Sequence, residues 1–266
     1  MSKQLDLQAT LASLDEIRGI MSAMKNLAFM EIRKLSGFLS AQQLAVKSIE
    51  RAAADFMHFH GVERKRKLVE TALLIGSERG LCGDFNERLV ETSDHEIPVI
   101  AIGSKLDSRL EKRLALIEGP NVAEEVESVL TKIVDRLAML QGALPEKEAL
   151  GITAYYHGDE AVTKRRLLPL PEKTAEAAYP YEPLLYLEPF EFYEKLSGHY
   201  LYAALHEALC SSLMAENRYR LDHMENAIRQ MDKRIERLKQ HYNLLRQEEI
   251  TEEIEVIMLS VDALSR

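Results

Sequence analysis

From His199 to Arg266 the chain contains neither proline nor glycine, and no other feature constrains the fold as tightly. Leu221, Ile228, Ile235 and Tyr242 recur every seventh residue, and Met224, Met231, Leu238 and Leu245 recur three places on. A pattern held for more than three heptads is a coiled-coil seam. At about 1.5 Å per residue such a helix approaches roughly 100 Å. A compact globule of this chain length has a radius of gyration of only about 18 Å. The helix is therefore expected to project from any globular part and to need a partner helix.

The other end of the chain supplies one. All eight prolines fall between Pro98 and Pro189, so both ends lack the strongest helix breaker. Leu11, Ile32, Leu39, Val46 and Ala53 share one heptad position. Leu14, Met21, Ala28, Leu35, Ile49 and Phe56 share the other. Arg18, Lys25 and Gln42 interrupt the seam, and Ile17, Ile20, Met24 and Leu27 carry the apolar stripe sideways near the first two breaks. Such drift follows from the mismatch between 3.6 residues per turn and a seven-residue repeat. A helix is expected from about Leu5 to His58. Folded antiparallel, each terminal helix covers the other's seam, at about 1.5–3 kcal/mol per buried Leu- or Ile-sized side chain.

The middle reads as strands alternating with helices. Leu68–Ile75 and Ile97–Ile102 are expected strands, Lys105–Ile117 and Val122–Leu140 helices, and Leu150–Tyr156 and Arg165–Leu170 later strands. The basic run Arg64–Lys67 precedes the first strand, and Pro169–Pro189 forms a proline-rich return. The expected fold class is α/β: a long antiparallel coiled coil of the terminal helices with an inserted small, Rossmann-like α/β domain. The expected divisions are residues 1–62, 63–190 and 191–266.

Composition narrows the function. The formal charge of −9 opposes nucleic acid as a main partner, because phosphate backbones call for a positive field. No stretch is long and apolar enough to span a membrane. Residues Met1–Glu16 carry three acids and one lysine, without the features of a targeting segment, so a cytoplasmic, bacterial setting is expected. Cys82 and Cys210, the only cysteines, are too few for a disulfide framework.

Candidate chemistry is sparse. Arg79, Gly80, Cys82 and Gly83 lie in a tight strand-to-helix turn, with Asp84 and Glu87 spaced as a capping box. The turn is neither a P-loop nor a dinucleotide fingerprint, and it reads as structural. Cys82 precedes a helix start that could lower its pKa, but no resolving cysteine is near. His58 and His60 lack the further ligands a metal needs. Glu248, Glu249, Glu252, Glu253 and Glu255 form an acidic band. Through it runs a second apolar stripe, Ile250, Ile254, Ile257, Val261 and Leu264, out of phase with the Leu221–Leu245 seam. The slip near Gln247 implies that the helix changes partner there. No catalytic set, cofactor or metal is expected.

Taken in order, the residues resemble the gamma subunits of F-type ATP synthases, the central-stalk rotor family. Ser77-Glu78-Arg79-Gly80-Leu81-Cys82-Gly83 with Asn86 is similar to that family's S-D-R-G-L-C-G-x-x-N. Ile20, Ala23, Met24, Ala28, Arg33 and Lys34 fit its first-helix pattern. Glu216, Arg220, Met224 and Ala227 fit its last-helix pattern, and so do Tyr242-Asn243, Arg246-Gln247, Ile250-Thr251 and Glu253. Leu167-Leu168-Pro169, Glu188-Pro189 and Tyr200-Leu201 match smaller landmarks between. Ser22, Lys25 and Asp84 depart from the pattern, and the acidic band is heavier than usual.

The resemblance implies a non-catalytic rotor subunit that couples ion flow to ATP synthesis or hydrolysis on beta subunits. It implies partners in the alpha and beta subunits of the catalytic hexamer, the epsilon subunit and the c subunits of the membrane ring. The implied location is peripheral, on the cytoplasmic face of the bacterial cell membrane. Arg246, Gln247, Thr251 and Glu253 are the implied beta contacts, and Met24 and Arg220 the implied coupling positions nearer the collar. Two other readings stay open: a free-standing coiled-coil scaffold that self-pairs through Ile250–Leu264, and a nucleotide-binding α/β enzyme using the Gly80–Gly83 turn.

Overall fold

The computed structural model describes residues 2–60, 66–94, 96–110, 113–159, 161–170 and 181–264. Arg64 and Lys65 of the basic run, residues 171–180 of the proline-rich return and Arg266 lie outside them. In chain order the elements are α1 (Ser2–His60), β1 (Lys67–Ile75), α2 (Phe85–Thr92), β2 (Val99–Ile102) and a 3-10 turn (Ser104–Arg109). There follow β3 (Arg113–Ile117), a second 3-10 turn (Ala123–Glu125), α3 (Val126–Ala143), β4 (Glu148–His157), β5 (Val162–Leu168) and α4 (Pro189–Leu264). α4 begins ten residues before the stretch free of both proline and glycine, with Pro189 at its first position, where a missing N–H costs nothing.

Two compact units divide the chain, and the division does not fall at the helix ends. One unit is Met1–Leu27 with Leu221–Arg266; the other is Ala28–Arg220. The second holds a five-stranded sheet in the order β3-β2-β1-β4-β5, parallel except for β5, which runs antiparallel to β4. β1 is central and buried on both faces from Thr71 to Ile75, which is why it reads as a continuous apolar run. On one face, Leu73, Ile75, Ile100, Ile102 and Ile152 pack on Leu130 and Ile133 of α3, Leu35 and Leu39 of α1, and Leu205 and Leu209 of α4. On the other, Ala72, Leu74, Ala101 and Tyr155 pack on Leu89 of α2 and Leu106. Ladders of this order are those of a doubly wound, Rossmann-like sheet.

The two-helix unit follows the heptads. From Leu221 to Leu245 the residues withdrawn from solvent include every expected seam position, with Met224 and Ile235 fully buried. Arg18 pairs with Asp232 at 2.6 Å and Lys25 with Glu225 at 3.5 Å. A seven-residue step up α1 matches a seven-residue step down α4, so the helices run antiparallel. The two basic residues that break the α1 seam thus reach across to acids. These pairs are about half exposed and contribute well under ~1 kcal/mol each, so apolar burial carries the pairing.

Two sequence expectations are corrected. Lys105–Ile117 is not a helix: Ser104–Arg109 forms a 3-10 turn and Arg113–Ile117 is edge strand β3. Ala115 and Ile117 face α3, a strand period too short to outweigh the helical spacing of Leu106, Leu110 and Leu114 in the sequence. Asp84 is the N-cap of α2 but makes no side-chain cap bond; its carboxylate takes the Arg88 Nε at 2.7 Å instead.

Gly103 joins β2 to the first 3-10 turn at φ 106, and a Cβ there would lie 2.7 Å from the Ser77 carbonyl oxygen and 2.8 Å from that of Gly76. Both neighbours are backbone and cannot yield. Gly103→Ala should therefore lower stability by about 2–4 kcal/mol, read as a lower urea midpoint with unchanged slope.

Candidate functional site

β1 delivers the chain to the turn that the sequence singles out. At its last residue the Ile75 carbonyl accepts a hydrogen bond from Ser212 Oγ of α4 at 2.9 Å. The turn is then tied shut by its own ends. Ser77 N–H donates to Asn86 Oδ1 at 3.0 Å, and Asn86 Nδ2 donates to Ser77 Oγ at 2.8 Å. Leu81 and Gly83 take positive φ, 66° and 61°. Gly83 is the residue type that conformation favours; Leu81 bears it at a cost of about 1–3 kcal/mol.

Cys82 is buried with Phe85 and Ala215, and Tyr219 packs against them. Burial pushes its thiol pKa up, so the helix start does not activate it. Burial does the same to Cys210, up to about 12. His157 stacks on Phe85 at 3.9 Å, with Nε2 2.8 Å from the Phe85 carbonyl. Its pKa is depressed by burial, so the ring is neutral at physiological pH. Arg79, Leu81 and Gly83 form the exposed rim of the turn.

Two carboxylates serve the turn, and spacing gave no sign of either. Glu78 accepts hydrogen bonds from Ser104 N–H, Ser104 Oγ and Gly119 N–H at 2.9, 2.6 and 2.8 Å. Burial pushes its pKa up, but these bonds and the nearby Lys105 charge prevail, and it titrates below its ordinary range. Glu216 of α4 is buried and hydrogen-bonded by Arg220 Nη2. Burial pushes Glu216 up to about 7, against the Arg220 charge and the backbone N–H groups of Glu78 and Arg79. Arg220 donates also to Asn217 Oδ1 at 2.9 Å and to the Gly80 carbonyl at 3.5 Å. One guanidinium therefore fastens the turn to α4.

The six expected contact residues divide between the units. Arg220 lies in the α/β unit and is buried, its guanidinium committed to Glu216, Asn217 and Gly80. Met24 is half-buried in the two-helix unit. Arg246, Gln247, Thr251 and Glu253 are all exposed there. Thr251 Oγ donates to the Gln247 carbonyl, which spends its hydroxyl within the helix. Just past Gln247 the cover ends: Ile250, Ile254, Ile257 and Val261 are 45, 51, 60 and 58 % exposed. The phase slip in the sequence thus coincides with the loss of burial. Among the described residues no group of side chains could hold a metal ion, and no helix is long and apolar enough to cross a membrane.

Comparison with known proteins gives a consistent result. A family model described as ATP synthase matches residues 3–264. A protein named ATP synthase gamma chain from Ruminococcus albus is 27 % identical over 278 residues, covering 96 % of both chains. Another of that name from Syntrophus aciditrophicus is 25 % identical over 298 residues and covers all of both. Among solved structures, a chain of the Euglena gracilis mitochondrial ATP synthase rotor has a TM-score of 0.67 at 14 % identity, covering 94 % of this chain and 99 % of that one. A chain of the Tetrahymena thermophila central stalk and c-ring has a TM-score of 0.52 at 17 % identity and covers 78 % of this chain.

The buried pair yields two expectations. Arg220→Met, which leaves Glu216 buried without its cation, should cost about 3–5 kcal/mol, and adding Glu216→Leu should restore most of it in urea unfolding. Glu216 titrates near 4.5 in the unfolded chain and near 7 in the folded one, so the folded chain binds its proton more tightly. Its contribution is most favourable below about pH 4.5 and declines as pH rises towards about 7. Glu216→Gln should remove that decline, giving a flatter urea midpoint between those pH values than the unsubstituted chain.

Proposed function

The chain belongs to the ATP synthase family, and we propose that it turns as the gamma, central-stalk subunit of a rotary ATP synthase. In that role it couples ion flow through a membrane ring to ATP synthesis or hydrolysis on the beta subunits. One observation carries the reading: past Gln247, α4 presents an unburied apolar stripe in a helix otherwise buried seam by seam. A single helix does not keep such a stripe in water without an external surface to receive it. The full-length likeness to gamma chains supports the alpha and beta subunits as that surface.

The mechanics follow from the pairing. A seam buried between two helices resists slip of one past the other, because a register shift would expose Met224 and Ile235. The outward residues differ on every side, so each orientation presents a different surface to whatever surrounds it. Arg246, Gln247, Thr251 and Glu253 are the beta-facing contacts, and Met24 lies on the same unit. Arg220 is a positioning residue: from inside, it holds the turn whose exposed rim, Arg79 and Leu81, makes the contact. The α/β unit meets the epsilon subunit and the c subunits. The subunit is peripheral, on the cytoplasmic face of a bacterial membrane, a setting supported by its bacterial relatives. ATP chemistry takes place on the beta subunits.

The test is co-expression with the alpha and beta subunits of the same host. A stoichiometric complex with ATPase activity is expected; a chain that instead purifies as a stable homodimer and never joins that complex overturns the reading. Within the complex, replacing Arg246, Gln247, Thr251 and Glu253 together by alanine should lower steady-state ATPase activity by about tenfold while assembly survives on the apolar stripe.

A further inference from the structure

The carboxyl edge of the sheet holds a set of donors that the stalk role leaves unused. β2 and β3 end side by side, followed by Gly103-Ser104 and by Gly119. Ser104 N–H and Gly119 N–H converge on Glu78 Oε2 at 2.9 and 2.8 Å, and Ser104 Oγ donates to its Oε1 at 2.6 Å. Two glycines allow the convergence. Gly103 has φ 106, and a Cβ on Gly119 would press on Gly103 Cα at 3.3 Å. Three donors gathered around one carboxylate suit an oxyanion and repel a cation. The place is also where doubly wound sheets receive phosphates, outside the carboxyl ends of parallel strands.

The site is open to solvent. It borders a cavity of about 420 Å³ lined in part by Glu78, Asn121, Ser128 and Lys132, large enough for a tetrahedral anion beside the donors. Lys132 and the nearby Lys105 favour negative charge, whereas Glu118 and Glu125 on the same wall oppose it. With two cations and two carboxylates about it, the site would hold a free anion weakly. A carboxylate tethered three residues beyond β1 acts at an effective concentration of about millimolar or more, and so outcompetes it.

We propose that Ser104 and Gly119 form an oxyanion site and that Glu78 is its built-in occupant, standing where a free phosphate-class or carboxylate anion would otherwise bind. The proposal stands independently of the stalk role.

Thermal unfolding of the full chain tests it, at fixed ionic strength in chloride, formate or inorganic phosphate. Glu78→Ala empties the site and keeps its donors. The variant should melt lower than the unsubstituted chain in chloride. At about 50 mM, formate or phosphate should raise its Tm by about 3–6 °C over chloride. The unsubstituted chain and Glu78→Gln, whose amide fills the same space, should show no such selective rise. Adding Ser104→Ala to Glu78→Ala removes one donor and should shrink the gain. A larger rise with formate assigns the site to planar carboxylates, and a larger one with phosphate to tetrahedral anions. If Glu78→Ala does not fold in chloride, its refolding yield in formate or phosphate is read instead. No recovery there, no selective rise in the folded variant, or an equal rise in the unsubstituted chain overturns the proposal.

Discussion

Neither long helix can exist alone in water with its stripe uncovered, and that constraint shapes the rest of the structure. In the two-helix unit, heptad seam meets heptad seam. In the α/β unit the same two helices turn their apolar residues to the sheet, where Leu35, Leu39, Leu205 and Leu209 join the strand side chains. A helix that serves two kinds of partner must shift its apolar face along its length. The compact units therefore cut across both helices rather than ending with them.

The α/β unit has a doubly wound strand order, with α4 closed over the end of its central strand. α4 lies over the end of β1, where Ser212 holds the Ile75 carbonyl and Ala215 and Tyr219 close on Cys82 and Phe85. Glu216 and Arg220 fill the space beside the turn with a buried ion pair. Such a pair contributes little net stability over apolar packing, but it admits one arrangement of turn and helix. Specific placement is the property that the proposed contact surface on Arg79 and Leu81 requires.

Much of this was legible in the sequence. The heptads located both long helices to within a few residues except at the start of α4, where Pro189 begins the helix and Gly198 lies inside it. The apolar runs located β1, β2 and β4. The turn was recognised from its residues, and the loss of cover after Gln247 from a phase slip. Short-range signals failed where tertiary contacts decide. Lys105–Ile117 has helical spacing, yet pairing with β2 draws its second half into the sheet. Asp84 has the identity of a capping residue, yet Arg88 one turn on takes its carboxylate. Glu78 and Glu216 fell within recognisable patterns but gave no sign of their bonding, because their partners, Ser104, Gly119 and Arg220 with the turn, meet only after folding. Arg220 carried a recognisable pattern but not its burial.

The carboxylate on Ser104 and Gly119 has a thermodynamic consequence. A diffusible ligand stabilises its receptor in proportion to the logarithm of its concentration, so the receptor's stability tracks the metabolic state of the cell. An occupant that is part of the same polypeptide contributes a constant. The loops at the carboxyl edge therefore keep one conformation whether phosphate is scarce or abundant, which suits a component that works in steadily changing mixtures of ATP, ADP and phosphate.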